Sequence, residues 1–338
     1  MKLITYQLSQ QRDLTTLVIL ILFIFILFLI LMPKDFLTIS NFQSMAFQLP
    51  ELGFFALAMM VILLTGGINL SVITTANLSG VLTALLLTRV LSERSTSGEI
   101  ALITGLSIGV CIGTSLLLGL LNGFLIAYIE VSPILATLGT MIFYDGIAIV
   151  ITKGYVISNF PKAFVFIGNG VLGAIPFSII LFILFSLIVS LILNRTRFGF
   201  CLYMLGSNIL ATEYSGINIR SVLLKAYLLS GFLSGVASLI MISRFNSANA
   251  GYGSSYLLIT VLLGVLGGVN PSGGFGKVSG LILALIILQL ISSGLNLLGV
   301  STLVALSLWG IILIMVIMVN NVFLPTLTKI KSFKKEGH

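Results

Sequence analysis

"TGGINLSVITTANLSG" (Thr65–Gly80) lies between two strongly apolar runs and carries hydroxyls and amides but not one charge. Irregular backbone is tolerated at membrane depth only where protein buries it or where it lines a cavity, because lipid offers no hydrogen bonds. Gly66 and Gly67 interrupt a helical run at this point. The stretch therefore decides between a plain bundle of spans and a bundle with a polar break inside it. On the residues alone two readings stay open. Asn69, Ser71, Thr74, Thr75 and Asn77 could exchange uncharged hydrogen bonds with a polyol, or the glycines could form a cytoplasmic turn with Ser and Thr packing between helices.

Outward from this stretch the chain stays apolar. Of 338 residues, 58% are hydrophobic and 8% charged, and mean hydropathy is +1.21, whereas soluble domains carry about 25% charged residues. The chain is an integral membrane protein, expected to form one transmembrane domain over residues 1–338. The first apolar run, Leu14 to Met32, exceeds the length of a signal-peptide core and has no small-residue cleavage pattern after it, so it reads as a retained span. A net charge of +8 does not point to nucleic acid, since the basic residues punctuate apolar runs instead of clustering on a soluble face. Membrane lipid is the environment this pattern fits.

Measured against a hydrocarbon thickness of about 30 Å, the runs predict an all-α, polytopic membrane helix bundle of about ten spans. They fall near 14–32, 45–64, 72–90, 99–121, 134–152, 175–194, 221–242, 256–268, 278–297 and 301–321. An even number places both termini on one side. Assigning them to the cytoplasm puts eleven of the 17 basic residues inside, Lys329, Lys331, Lys334 and Lys335 among them, as the positive-inside rule requires. Lys34, Arg89, Arg94, Lys153, Lys162 and Arg244 then lie outside. The eighth segment is short for a span. The eighth and ninth must cross or dip together if the basic tail is to stay inside, and crossing is the expectation.

Enzyme chemistry has little to work with. "GNGVLG" (Gly168–Gly173) matches a dinucleotide-binding pattern but lacks the strand before it and the βαβ context. "GGFGKVS" has Pro271 where a phosphate loop needs Gly and Val278 where it needs Ser or Thr. His338, the only histidine, is the last residue, so neither a catalytic triad nor a His-rich metal site can be assembled. No catalytic residue, metal or cofactor is expected, and Cys111 and Cys201 read as structural filler.

Two further features carry weight. Gly105, Gly109 and Gly113 recur every fourth residue in the fourth span, as do Gly231 and Gly235 in the seventh. This spacing lets helix backbones approach closely and predicts packing within a compact bundle. Glu51, beside Pro50, and Asp145 are acids within spans. A carboxylate facing lipid costs several kcal/mol, so each lies either near the interface or, if deep, beside a water-filled path.

"LLTGGINLSVITTANLSG" resembles the G-G-I-D-L-S-V-G stretch of the ribose-type sugar permeases, membrane subunits of bacterial ATP-binding-cassette importers. The likeness continues through "NGFLIAYIEVSPILATLGTMIFYDG" (Asn122–Gly146), "TRFGFCLYMLGSNILATEYSGINI" (Thr196–Ile219) and the segment Ser230–Gly280, covering nearly the whole chain. It departs at Asn69, where the family usually has Asp, at Ile73, usually Gly, and at Asp145, a position more often basic. The resemblance implies a multi-pass permease of the bacterial inner membrane that imports a monosaccharide or similar small polar solute. It pairs with a second identical or homologous permease, two cytoplasmic ATPase subunits that hydrolyse ATP, and a periplasmic or lipid-anchored sugar-binding protein. It tips the opening stretch towards a pathway-adjacent role. It also places the ATPase-contacting loop in the amphipathic segment around Asn208, Leu210, Ala211, Glu213, Tyr214 and Ile217, with Ser215 and Gly216 ending a short helix. An ion-coupled secondary transporter, binding Na⁺ or H⁺ at broken helices, is the competing reading.

Overall fold

The computed structural model describes residues 2–90, 96–173 and 175–318. Arg94, the lysines from Lys329 to Lys335, His338 and the end of the tenth expected span lie outside these residues.

Among the described residues the chain forms fourteen helices and two short two-stranded pairings. Helix α1 (Lys2–Leu31) leads through the single turn α2 (Pro33–Phe36) into α3 (Ile39–Leu63), and the polar stretch then connects to α4 (Val72–Val90). Next come α5 (Ser97–Ala127), α6 (Pro133–Thr152), the short α7 (Lys162–Asn169) and α8 (Phe177–Arg195). Two small helices, α9 (Arg197–Ser207) and α10 (Ile209–Tyr214), precede α11 (Ile219–Phe245). The chain then runs through α12 (Tyr256–Leu266), α13 (Val278–Leu297) and α14 (Thr302–Met318). Eight of these helices are long and apolar enough to cross a membrane, which makes the protein a multi-pass membrane bundle. The other two expected spans correspond to α12 and α14, of 11 and 17 residues.

The long helices run between two ends of the bundle. One, the Gly66 end, gathers the Thr65–Gly67 turn, the α5–α6 connection and the start of α11. The 267–277 turn joins them there, where Gly274 N–H donates to the Leu64 carbonyl and the Tyr203 hydroxyl to that of Gly276. The opposite, Arg244 end holds the close of α11, α7 and the pairing of Ile157–Ser158 with Ser247–Ala248. Helix α11 rises from the first end to the second. The segment 250–266 returns, its loop pinned by the Asn77 amide to the carbonyls of Ala250 and Tyr252. At about 1.5 Å per residue, α12 covers only some 16 Å of that return, and the loop supplies the rest.

Burial separates inner from outer helices. In α11, 83% of the apolar window is buried, against 17% in α1. Small residues explain the close packing of α5 against α11. A Cβ at Gly119 of α5 would fall 2.6 Å from the Tyr227 carbonyl and 3.0 Å from Gly231 Cα of α11, and only backbones without side chains pack so closely. Cys111 lies in the same interface with its thiol towards the Gly235 carbonyl. The other glycine row departs from the expectation of packing within the bundle. A Cβ added at Gly105, Gly109 or Gly113 would meet nothing within 4 Å. These glycines sit on the outward face of α5, because Ser107, Cys111, Ser115 and Gly119 occupy the face turned to α11.

Candidate functional site

The polar break is a short extended segment held between helices. Helix α3 ends at Leu63, and Gly66 turns the chain with φ +81°, a left-handed conformation that glycine adopts without strain. Residues 68–71 then run back between α6 and α11 before α4 begins. Thr137 of α6 satisfies this backbone, its hydroxyl accepting from Leu70 N–H and standing 3.1 Å from the Ile68 carbonyl. Asn69 Oδ1 accepts from Ser71 N–H and Oγ–H, and its Nδ2 donates to Ser230 of α11. Asn122 of α5 donates to Ser71 Oγ at 2.8 Å and accepts from the Thr140 hydroxyl at 2.6 Å. Buried polar groups in lipid must be paired in this way.

The residues expected from sequence thus fall into distinct settings. Asn69, Ser71, Thr75 and Asn77 are buried within the protomer, and Thr74 is half-buried. The Asn77 Oδ1 atom is buried without a hydrogen-bond partner. The partners Asn122, Thr137, Thr140 and Ser230 do not stand out in the sequence, although Thr137 and Thr140 are three apart in "ATLGT", the spacing of one helix face. Glu51 lies midway along α3, 1% exposed, with its carboxylate 3.3 Å from Arg244 Nε. Arg244, expected on the outer side, is its half-buried partner at the end of α11. It also donates to the Phe47 carbonyl and lies 4.9 Å from the Phe245 ring centre. Asp145 is half-buried in α6 and makes no ion pair or hydrogen bond among the described residues.

At the Gly66 end the break opens into a cleft of about 870 Å³ whose walls include Thr65, Gly66, Glu130, Pro133, Glu213 and Arg220. The cleft joins the opening stretch to the segment after α8, which the sequence presents as unrelated regions. That segment is more ordered than a single amphipathic loop. Helix α9 buries Gly199, Leu202 and Leu205, and α10 follows after Asn208, whose side chain caps it by accepting from Ala211 N–H. Helix α10 closes at Ser215, with Gly216 at φ +75°. Thr212 faces inward at 1% exposure, while Leu210 and Tyr214 project outward at 65% and 91%. Asn208, Ala211, Glu213, Ser215 and Gly216 are exposed as well, and Ile217 packs against the core. Across the cleft mouth Arg220 pairs with Glu130 at 3.1 Å and stacks over Tyr128. No cluster of three His, Cys, Asp or Glu side chains able to hold a metal ion occurs among the described residues.

A multi-pass bundle whose second and third spans are joined by a buried, hydrogen-bonded polar segment, opening into a cleft beside an exposed small helix, has the architecture of a transport permease. The chain belongs to the family described as branched-chain amino acid transport system / permease component, whose model matches residues 41–319. It is 33% identical over 302 residues to a ribose import permease protein of Bacillus subtilis, covering 89% of this chain and 90% of that one. It is also 32% identical over 273 residues to an autoinducer 2 import system permease protein of Klebsiella pneumoniae, covering 79% of each. No solved structure matches.

Proposed function

We propose that the protein is the membrane-spanning subunit of an ATP-binding-cassette importer for a monosaccharide or a similar small polar solute, in the inner membrane of a bacterium. In this reading the Gly66 end faces the cytoplasm, as the basic tails favour. Two ATPase subunits bind there, a second permease completes the pathway, and a binding protein delivers solute at the Arg244 end. ATP hydrolysis belongs to the partner chains. The observation that carries the reading is α10, which turns Leu210 and Tyr214 into solvent while Thr212 anchors it. Exposed apolar and aromatic side chains on a rigid element are what a partner's groove takes up.

The geometry also supplies a route for coupling. Helix α10 is one short turn from the start of α11, and both line the cleft with the α5–α6 connection and the Gly66 turn. A shift of α10 therefore moves the cleft walls, and nucleotide state acts through its differential contacts with the two arrangements. The polar break supports a pathway-adjacent role for Asn69, Ser71, Thr74, Thr75 and Asn77, with Glu51 and Asp145 as further candidates. Glu213→Arg and Gly216→Trp test the coupling surface. Both should leave membrane insertion intact, abolish uptake and release the ATPase during purification. Normal uptake with the ATPase still bound would place the coupling site elsewhere.

A further inference from the structure

A second cleft, of about 370 Å³, lies at the opposite end of the bundle between the start of α3, the end of α13 and the start of α14. Its size is within the range of about 300–1,000 Å³ typical of small-molecule sites. Most of its lining carries uncharged hydrogen-bonding groups, among them Asn41, Ser44, Gln48, Ser292, Asn296 and Ser301, and no charged residue contributes. These positions come from two stretches far apart in the sequence, and only the packing of α3 against α13 and α14 brings them to one cleft.

Internal bonds hold one side of the cleft and leave the other unused. Asn41 is fixed by donating to the Phe36 carbonyl and accepting from the buried Ser293 hydroxyl at 2.6 Å. Gln48 accepts from Gln289 at 3.3 Å and donates to Ser44 Oγ at 3.0 Å. The side chains of Ser292, Asn296 and Ser301 make no hydrogen bond among the described residues, and Ser44 retains its hydroxyl proton. Fixed amides beside free hydroxyls offer both donors and acceptors at short spacing. A neutral molecule with several hydroxyl groups matches that set. An ion or zwitterion would find no counter-charge, and an apolar ligand would leave the polar groups unpaired at about 1–3 kcal/mol each.

We infer that the cleft between α3, α13 and α14 is a binding subsite for a neutral polyol of monosaccharide size at the outer mouth of the permease. The inference rests on the importer reading only for its orientation and solute class. Its test uses the assembled permease–ATPase complex in proteoliposomes and intact cells. Cys111 and Cys201 are replaced, Ser292→Cys serves as reporter, and D-ribose, D-glucose and L-leucine serve as probes. An impermeant thiol reagent added outside should modify position 292. At least one of the two sugars at millimolar concentration should slow modification several-fold, L-leucine should not, and Asn41→Leu or Gln48→Leu should remove the protection. Ser301→Cys provides a second reporter if Ser292→Cys folds poorly. If neither sugar protects either reporter, or L-leucine does so instead, the subsite is refuted. Sugar uptake, followed in parallel in the same cells, tells that failure apart from failure of the importer reading.

Discussion

Truncating Arg244 should be among the most damaging single substitutions in the bundle, and more damaging than truncating its partner. Glu51 is 1% exposed at the middle of α3, and its charge is met by Arg244 Nε at 3.3 Å. Removing the guanidinium strands a buried carboxylate, and breaking such a pair from one side costs about 3–5 kcal/mol. The converse change is milder. Arg244 is 19% exposed and keeps the Phe47 carbonyl and the Phe245 ring after Glu51→Leu, so that variant should lose about half as much or less on the same scale. Replacing both residues by Leu removes both desolvation penalties and should restore most of the loss, since apolar substitutes for a buried pair are often neutral or stabilising by about 1–4 kcal/mol. The assay is the thermal midpoint of the detergent-solubilised permease, read as the fraction remaining monodisperse after heating, for the parent, both single variants and the double. An Arg244→Leu variant as stable as the parent would refute the reasoning. So would a double variant no better than Arg244→Leu.

Three further outcomes are expected, the first two from the structure and the last from the distribution of basic residues in the sequence. Gly231→Leu should disrupt the α5–α11 contact and sharply lower the yield of folded protein, because a Cβ there meets the Ser115 carbonyl at 2.6 Å; Gly109→Leu, with open space around it, should leave the yield unchanged. Asn69→Leu should reduce uptake further than it reduces the folded amount, measured by transport against quantitative blotting. Equal losses would assign the residue to packing, where an unmet buried partner costs about 1–3 kcal/mol. In a background lacking Cys111 and Cys201, cysteines at Lys34 and Lys162 should react with an impermeant thiol reagent outside intact cells and one at Lys331 should not; labelling at 331 would reverse the orientation.

The spans were legible in the sequence because hydrocarbon thickness sets their length. The expected boundaries 72–90 and 278–297 coincide with those of α4 and α13. The break at Gly66 was legible too, since paired glycines inside an apolar run have few other uses, and the family followed from ordered motifs along most of the chain. What hydropathy cannot convey is which face of a helix is inside. Lipid tails are as apolar as leucine, so no alternation of polar and apolar residues marks the core of a membrane bundle. For that reason the spacing of Gly105, Gly109 and Gly113 was compatible with packing, yet only the arrangement of helices turned that row outward. Pairings across long separations were equally hidden. Glu51 meets Arg244, Asn69 meets Ser230 and Asn41 meets Ser293 only after α3, α4, α11 and α13 are brought together. Within its own segment none of these residues announces a partner. The cost of leaving a polar group unpaired in lipid means that most find one, but which one is decided by the tertiary fold.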